Sequence, residues 1–307
     1  MNGQYNSVLA RLLDFNPSIW YLHCICHCLH LSSSKTAEKL PASVFAFIKK
    51  VYKHFGKSPK RIAQFEDIMV QMDLKIKKVL KSGKTRWLSL EAAIKRILEL
   101  WEPLKKYFEE AKIESLFQKF NDNSILVYLQ FLSVFLEKIN RINFYFQRES
   151  SEILSLRNQL YKTWINLSNH IFKPMVNNND SALILDSKIK FELNFDEDLN
   201  NYLMDATEIC SHFNMVFGSV IHLNKLQEDQ RLQMSLDFQK FIIQILKGLK
   251  HYLPFDDIVL TKITTLDPEN SNQEDWMSLA RKFPTIIKLE EFHQFFDEVS
   301  NSMIFLT

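Results

Sequence analysis

Eight consecutive residues, His23-Cys24-Ile25-Cys26-His27-Cys28-Leu29-His30, concentrate imidazole and thiol groups of the kind that ligate zinc. Structural zinc sites usually pair ligands about two to four residues apart and draw a second pair from a distant segment. The only later cysteine is Cys210, which has no cysteine neighbour. Zinc is therefore not expected, nor is any other metal or cofactor. The cluster reads instead as the end of a buried strand, with Cys24 and His27 packed against a sheet. A second constellation is Lys84-Thr85-Arg86-Trp87-Leu88-Ser89-Leu90. Arg86 offers a planar fork for phosphate and Trp87 a stacking face for an unpaired base. The residues alone favour a plainer assignment, a surface charge followed by the first core residue of a helix. No glycine-rich phosphate loop, Gly-x-Ser-x-Gly elbow or His-Glu-x-x-His pair is present. The acids at Asp196-Glu197-Asp198 and Asp256-Asp257 suit helix caps better than metal ligands.

The elements that must position these residues are mostly helical. The chain has 5 Gly and 8 Pro against 25 Phe, which disfavours turn-rich sandwiches and barrels. A first helix is expected over Ser7–Leu13, closed by Asn16-Pro17, and the apolar run Ile19–Ile25 has the signature of a buried strand. Val44, Phe47, Ile48, Val51 and Phe55 form a helical stripe, and Ser58-Pro59 starts the next helix as cap and first-turn proline. A break is expected at Lys81-Ser82-Gly83-Lys84 and a strong helix from about Ser89, with Pro103 interrupting it or opening another. Long amphipathic stretches follow at Ser124–Phe146, Ile153–Phe172, Asp198–Gln227 and Leu232–Tyr252. Loops are expected at Asn177–Asp180 and Leu266–Gln273, and Leu183–Phe195 reads as a short strand pair or a linker. The phenylalanine-rich stripes read as bundle core rather than as a cofactor box.

Composition adds two bounds. At 46% hydrophobic and 24% charged over 307 residues, the chain is globular, and no run of about 18 apolar residues suggests a membrane span. The net charge of +2 hides a polarity: residues 47–86 carry 12 Lys and Arg against Glu66, Asp67 and Asp73, a net +9, so the remainder carries −7. A compact basic segment in an otherwise acidic chain is the footprint of nucleic-acid binding, or else a solvated helix face.

Taken in order, these pieces resemble hAT superfamily transposases. The His23–Leu31 segment is similar to that family's Cys-x-x-His segment, where a strand runs into a helix. Lys84–Leu90 is similar to its Arg-Trp motif at the entry to a helical insertion domain. Asn2–Leu12 resembles the helix before that strand, the Phe55–Phe65 pattern between the two motifs also fits, and Ile139–Arg148 resembles the corresponding stretch of animal, host-domesticated members. The resemblance implies a remnant of an RNase-H-like α/β core over residues 1–85 and an all-helical insertion domain over 86–307. In such enzymes three acids hold two metal ions that activate water and then a DNA 3′-hydroxyl. The family's first two Asp precede the segment matching Asn2 and its last Glu follows the insertion. Only Cys24, His27, Arg86 and Trp87 carry over.

The expectation is therefore a domesticated, catalytically inactive, transposase-like protein, truncated at both ends and nuclear, with the cytoplasm as the alternative. It keeps low-specificity DNA binding through Arg86, Trp87, Lys84, Lys81, Lys78, Lys77, Lys57, Lys60 and Arg61. Cys24 and His27 are structural in this account. The rivals are a helical protein-interaction scaffold without a nucleic-acid role, with a protein partner or second copy, and a fragment of a longer active transposase.

Overall fold

In the computed structural model the described residues are 7–36, 39–56, 58–80, 87–147, 153–173, 175–176, 182–183, 191–192, 199–266 and 272–284. They are mostly helical. The helices are α1 (Val8–Phe15), α2 (Ile25–Thr36), α3 (Ala42–Phe55), α4 (Pro59–Gln71), α5 (Trp87–Glu99), α6 (Trp101–Glu110), α7 (Glu114–Asn121), α8 (Asn123–Tyr145), α9 (Ile153–Ser168), α10 (Leu199–Tyr202), α11 (Ala206–Phe217), α12 (Glu228–Tyr252), α13 (Ile258–Lys262) and α14 (Gln273–Lys282). The strands among the described residues are two-residue pieces, β1 (Met175–Val176) and β2 (Ala182–Leu183), paired antiparallel.

The chain divides into two compact units, one of residues 25–147 and 163–252, the other of 1–24, 148–162 and 253–307. In the larger unit α2 lies along α12, α5 packs on α8, and α11 packs on α12. The α8 sequence is apolar round most of its circumference, and such a helix must be covered on most sides; 13 of its residues between Ile125 and Ile142 are buried accordingly. Phe131 of α8 stacks flat on Phe238 of α12, with centroids 3.8 Å apart, and Phe135 and Phe213 extend the cluster. Two polar groups carried into this core are paired, as burial demands. Tyr128 donates to Asp237 at 2.6 Å; burial, then this hydrogen bond, pushes its phenol pKa upward. The Trp164 indole donates to the Leu246 carbonyl at 3.2 Å.

In the smaller unit α13 and α14 pack together, with a short 3-10 turn at Ile263–Leu266. Asp257 caps α13 through the Leu260 amide at 2.9 Å and accepts the Trp20 indole N–H at 3.1 Å, so its carboxylate is a cap as expected.

Several local expectations hold. The α3 stripe Val44, Phe47, Ile48, Val51 and Phe55 is buried throughout. Ser58 caps α4, with Pro59 in its first turn, and Pro103 sits in the first turn of α6, where a missing N–H costs nothing. The α/β remnant is a correction. The strand expected over Ile19–Ile25 does not form: residues 19–24 have no regular structure and α2 begins at Ile25. Ile25, Cys28, Leu29, Ser32 and Thr36 are buried, a three-and-four spacing that only a helix brings to one face. The adjoining helix α12 covers that face, and no sheet lies beside it among the described residues. The long helix expected over Asp198–Gln227 is also broken, because Asp205 and Glu208 form a capping box that starts α11 afresh.

Candidate nucleic-acid interface

The basic segment folds into α3, α4 and the extended stretch that follows. Helix α3 buries its apolar stripe and turns Lys49, Lys50 and Lys53 to solvent. Lys60 and Arg61 lie in the exposed first turn of α4. There the Arg61 guanidinium donates to the His54 carbonyl at 3.0 Å, which ties the start of α4 to the end of α3. Helix α4 ends where Asp73 takes a left-handed conformation (φ 54°), and the Leu74 amide returns to the Met69 carbonyl at 2.9 Å. The chain then runs back across the helix pair, carrying Lys75, Lys77 and Lys78. The Arg96 guanidinium fastens this stretch through the Lys78 carbonyl at 2.7 Å.

Between these elements lies a hollow of about 100 Å³, lined by Tyr52, Phe55, Ile62, Phe65, Met69 and Val79, with Lys77, Lys78 and Glu66 as its charged groups. Its aromatic wall continues into Tyr107, whose hydroxyl meets His54 Nε2 at 2.9 Å. Burial, then the Arg61 charge, holds the His54 pKa below its ordinary value. Burial raises that of Tyr107 against the opposing pull of Arg61.

Charge pairing separates the lysines. Lys77 is ion-paired to Glu99, which also accepts from Arg96 Nε at 3.1 Å; the Lys77 hydrogen bond is the main cause that lowers the Glu99 pKa. Lys49, Lys50, Lys53, Lys60, Lys75 and Lys78 are exposed and have no carboxylate within 4 Å among the described residues. Exposed ammonium groups beside an apolar hollow suit a ligand that combines phosphate charge with a flat apolar face.

Of the residues singled out by sequence, Lys60, Arg61, Lys77 and Lys78 come together at this corner. Lys57, Lys81, Lys84 and Arg86 lie outside the described residues. Trp87 opens α5, and its side chain is not among those described. Lys49, Lys50, Lys53 and Lys75 belong to the basic count but had no motif to mark them, and Tyr52 gave no signal because an aromatic at helical spacing reads as core. The Cys/His cluster is corrected: Cys24 and His27 are exposed rather than buried, while Cys28 is the buried thiol. Among the described residues no three His, Cys, Asp or Glu side chains converge as a metal site.

The described residues of the larger unit are thus helical, with a basic corner at α3 and α4. A family model described as the FAM200/GTF2IRD2 helical domain matches residues 23–168. This stretch runs from the Cys/His cluster through α8 and α9 and contains the whole basic corner. That family derives from domesticated hAT-like transposases, so the match supports a transposase-derived reading at that coarse level. No curated protein and no solved structure matches the chain. No helix among the described residues is long and apolar enough to cross a membrane.

Proposed function

We propose that this chain is a transposase-derived, non-catalytic protein that holds DNA in the nucleus through phosphate contacts from the α3–α4 corner. The observation that carries the proposal is the set of exposed lysines without acidic partners among the described residues: Lys49, Lys50, Lys53, Lys60, Lys75 and Lys78. An ammonium group already neutralised by a carboxylate gains little from a phosphate, whereas an unpaired one releases a counterion on contact. Lys77 contributes less in this account, because Glu99 already occupies it. With no base-reading side chain assigned, the contacts position the nucleic acid without selecting a sequence.

The test is fluorescence anisotropy of labelled duplex and hairpin DNA at low salt, with the full chain and with the variant Lys49→Gln/Lys53→Gln/Lys60→Gln/Lys78→Gln. The variant should bind more weakly on every sequence tried, and its log–log salt slope should flatten by about one for each phosphate contact removed. Equal binding by both proteins would remove the corner from consideration. A second reading, a protein-interaction scaffold, is favoured by Met215 and Val216 on α11 and Val220 just beyond it, which are 79%, 45% and 46% exposed. DNA binding unaffected by any change in the corner would leave that reading the stronger.

A further inference from the structure

Away from the basic corner, three basic side chains meet inside the larger unit. Lys138 of α8 places Nζ 2.8 Å from His170 Nε2, in the turn after α9. His170 Nδ1 lies 3.1 Å from His212 Nε2 on α11. Both contacts are satisfied at once if the amine donates to Nε2 and the His170 Nδ1–H donates onward to His212. Phenylalanines enclose the group: the His170 ring centroid is 5.0 Å from that of Phe217 and 5.5 Å from that of Phe135, and Nζ lies 5.2 Å from the Phe217 centroid. His170 is buried; Lys138 and His212 are half-buried.

What the cluster lacks is an acid. No carboxylate lies within 4 Å of Lys138, His170 or His212 among the described residues. Glu137, beside Lys138 on α8, is held by Lys95 at 3.0 Å and Arg141 at 2.6 Å. Glu208, one turn before His212, is engaged with Lys173 at 3.6 Å and with its own cap. Arg141 adds further positive charge near Lys138. Burial, then these neighbouring charges, lowers the pKa of all three groups. Buried basic groups are ordinarily paired; here the partners are bases and aromatic faces.

We infer that Lys138 is a carbamylation site for carbon dioxide, with His170 as the proton acceptor. The neutral Nζ attacks the carbon of CO2. An N–C bond forms, one C=O π pair moves to oxygen, and the Nζ proton passes to His170 Nε2. The product is a carbamate anion beside an imidazolium, so the reaction supplies the negative charge that the cluster lacks, with no change of oxidation state. A linear three-atom electrophile reaches a half-buried amine without a preformed cavity, which a larger acyl donor would need. Lys60 and Lys78 are exposed and lie outside this cluster, away from the His170 imidazole that would take the proton.

The experiment incubates the full-length protein with 13C-bicarbonate in equilibrium with CO2 at neutral pH, traps carbamates by O-ethylation with triethyloxonium, and maps the adducts by peptide mass spectrometry. Lys138 should be trapped severalfold above Lys60 and Lys78, which act as internal controls. The carbamate 13C resonance of the intact protein should vanish in Lys138→Arg. His170→Gln should reduce the yield severalfold in protein that keeps its helical circular dichroism; if that variant unfolds, His212→Gln, at a half-exposed position, replaces it. Trapping of Lys138 no better than that of Lys60 and Lys78 overturns the inference, and so does a yield indifferent to both histidines.

Discussion

Acidification should destabilise this protein through His170 well before most carboxylates are protonated. Burial, then the nearby charge of Lys138 and of His212, carries the His170 pKa from the ordinary 6.5 down to about 3. Above about pH 6.5 the imidazole is neutral in both folded and unfolded chains and contributes nothing to the pH dependence. Between there and about pH 3 the unfolded chain binds a proton that the folded chain refuses, so stability falls as pH falls. Each pH unit in that window is worth about 1.4 kcal/mol, hence about 2 kcal/mol by about pH 5. His212 is lowered by the same causes, burial and Lys138, and adds in the same direction. The assay is urea unfolding followed by circular dichroism at about pH 7 and about pH 5, on the wild type and on His170→Gln, which has no proton to gain. The ion pairs at Glu99 and Glu137 are common to both proteins and cancel in the comparison. The wild type should lose about 2 kcal/mol more than the variant across the interval. Identical pH dependence in the two would refute the reasoning, because the imidazole would then not be held neutral by its surroundings.

Four other substitutions probe the packing and the helix caps. A Cβ added at Gly248 of α12 would sit 2.9 Å from Ser32 Cα and 3.0 Å from its Cβ, so Gly248→Ala should push α2 from α12 and cost roughly 1–3 kcal/mol in denaturant unfolding, despite alanine's better helix propensity. Phe131→Ala empties one side of the Phe131–Phe238 stack and should cost about 3–5 kcal/mol by the same measurement, whereas Phe144→Ala, at a position 57% exposed, should stay within about 0.5 kcal/mol. Asp205→Ala removes the acceptor of the Thr207 and Glu208 amides at 2.8 Å and should lower stability by about 1 kcal/mol.

Where burial follows a helical period, the sequence was a sound guide. Val44, Phe47, Ile48, Val51 and Phe55 are the α3 core, and Ser58-Pro59 is the α4 start, because spacing and capping are local properties. The end of α4 was harder to see. A helix commonly stops at a left-handed glycine, but Asp73 and Lys112 take that conformation here without being glycine, so neither stop has its usual marker. The Ile19–Ile25 run misled for a different reason. An apolar run of that length fits strand or helix, and what decided was the α12 face waiting for Ile25, Cys28, Leu29 and Ser32, a contact more than 200 residues away in sequence. The basic corner was half legible. Its charge is visible in composition, but which lysines are already paired depends on Glu99, supplied by a later helix. Lys138, His170 and His212 form no motif, since they come from three separate stretches of the chain.

The claim that DNA is held by unpaired lysines is tested most directly by the salt dependence of wild-type binding. If Lys49, Lys50, Lys53, Lys60, Lys75 and Lys78 each neutralised one phosphate of a duplex, log Kobs would fall against log salt concentration with a slope of about −5. The measured slope should lie between about −2 and that limit and be similar for unrelated duplex sequences. No measurable binding at low salt, or binding whose strength does not change with salt, would contradict it.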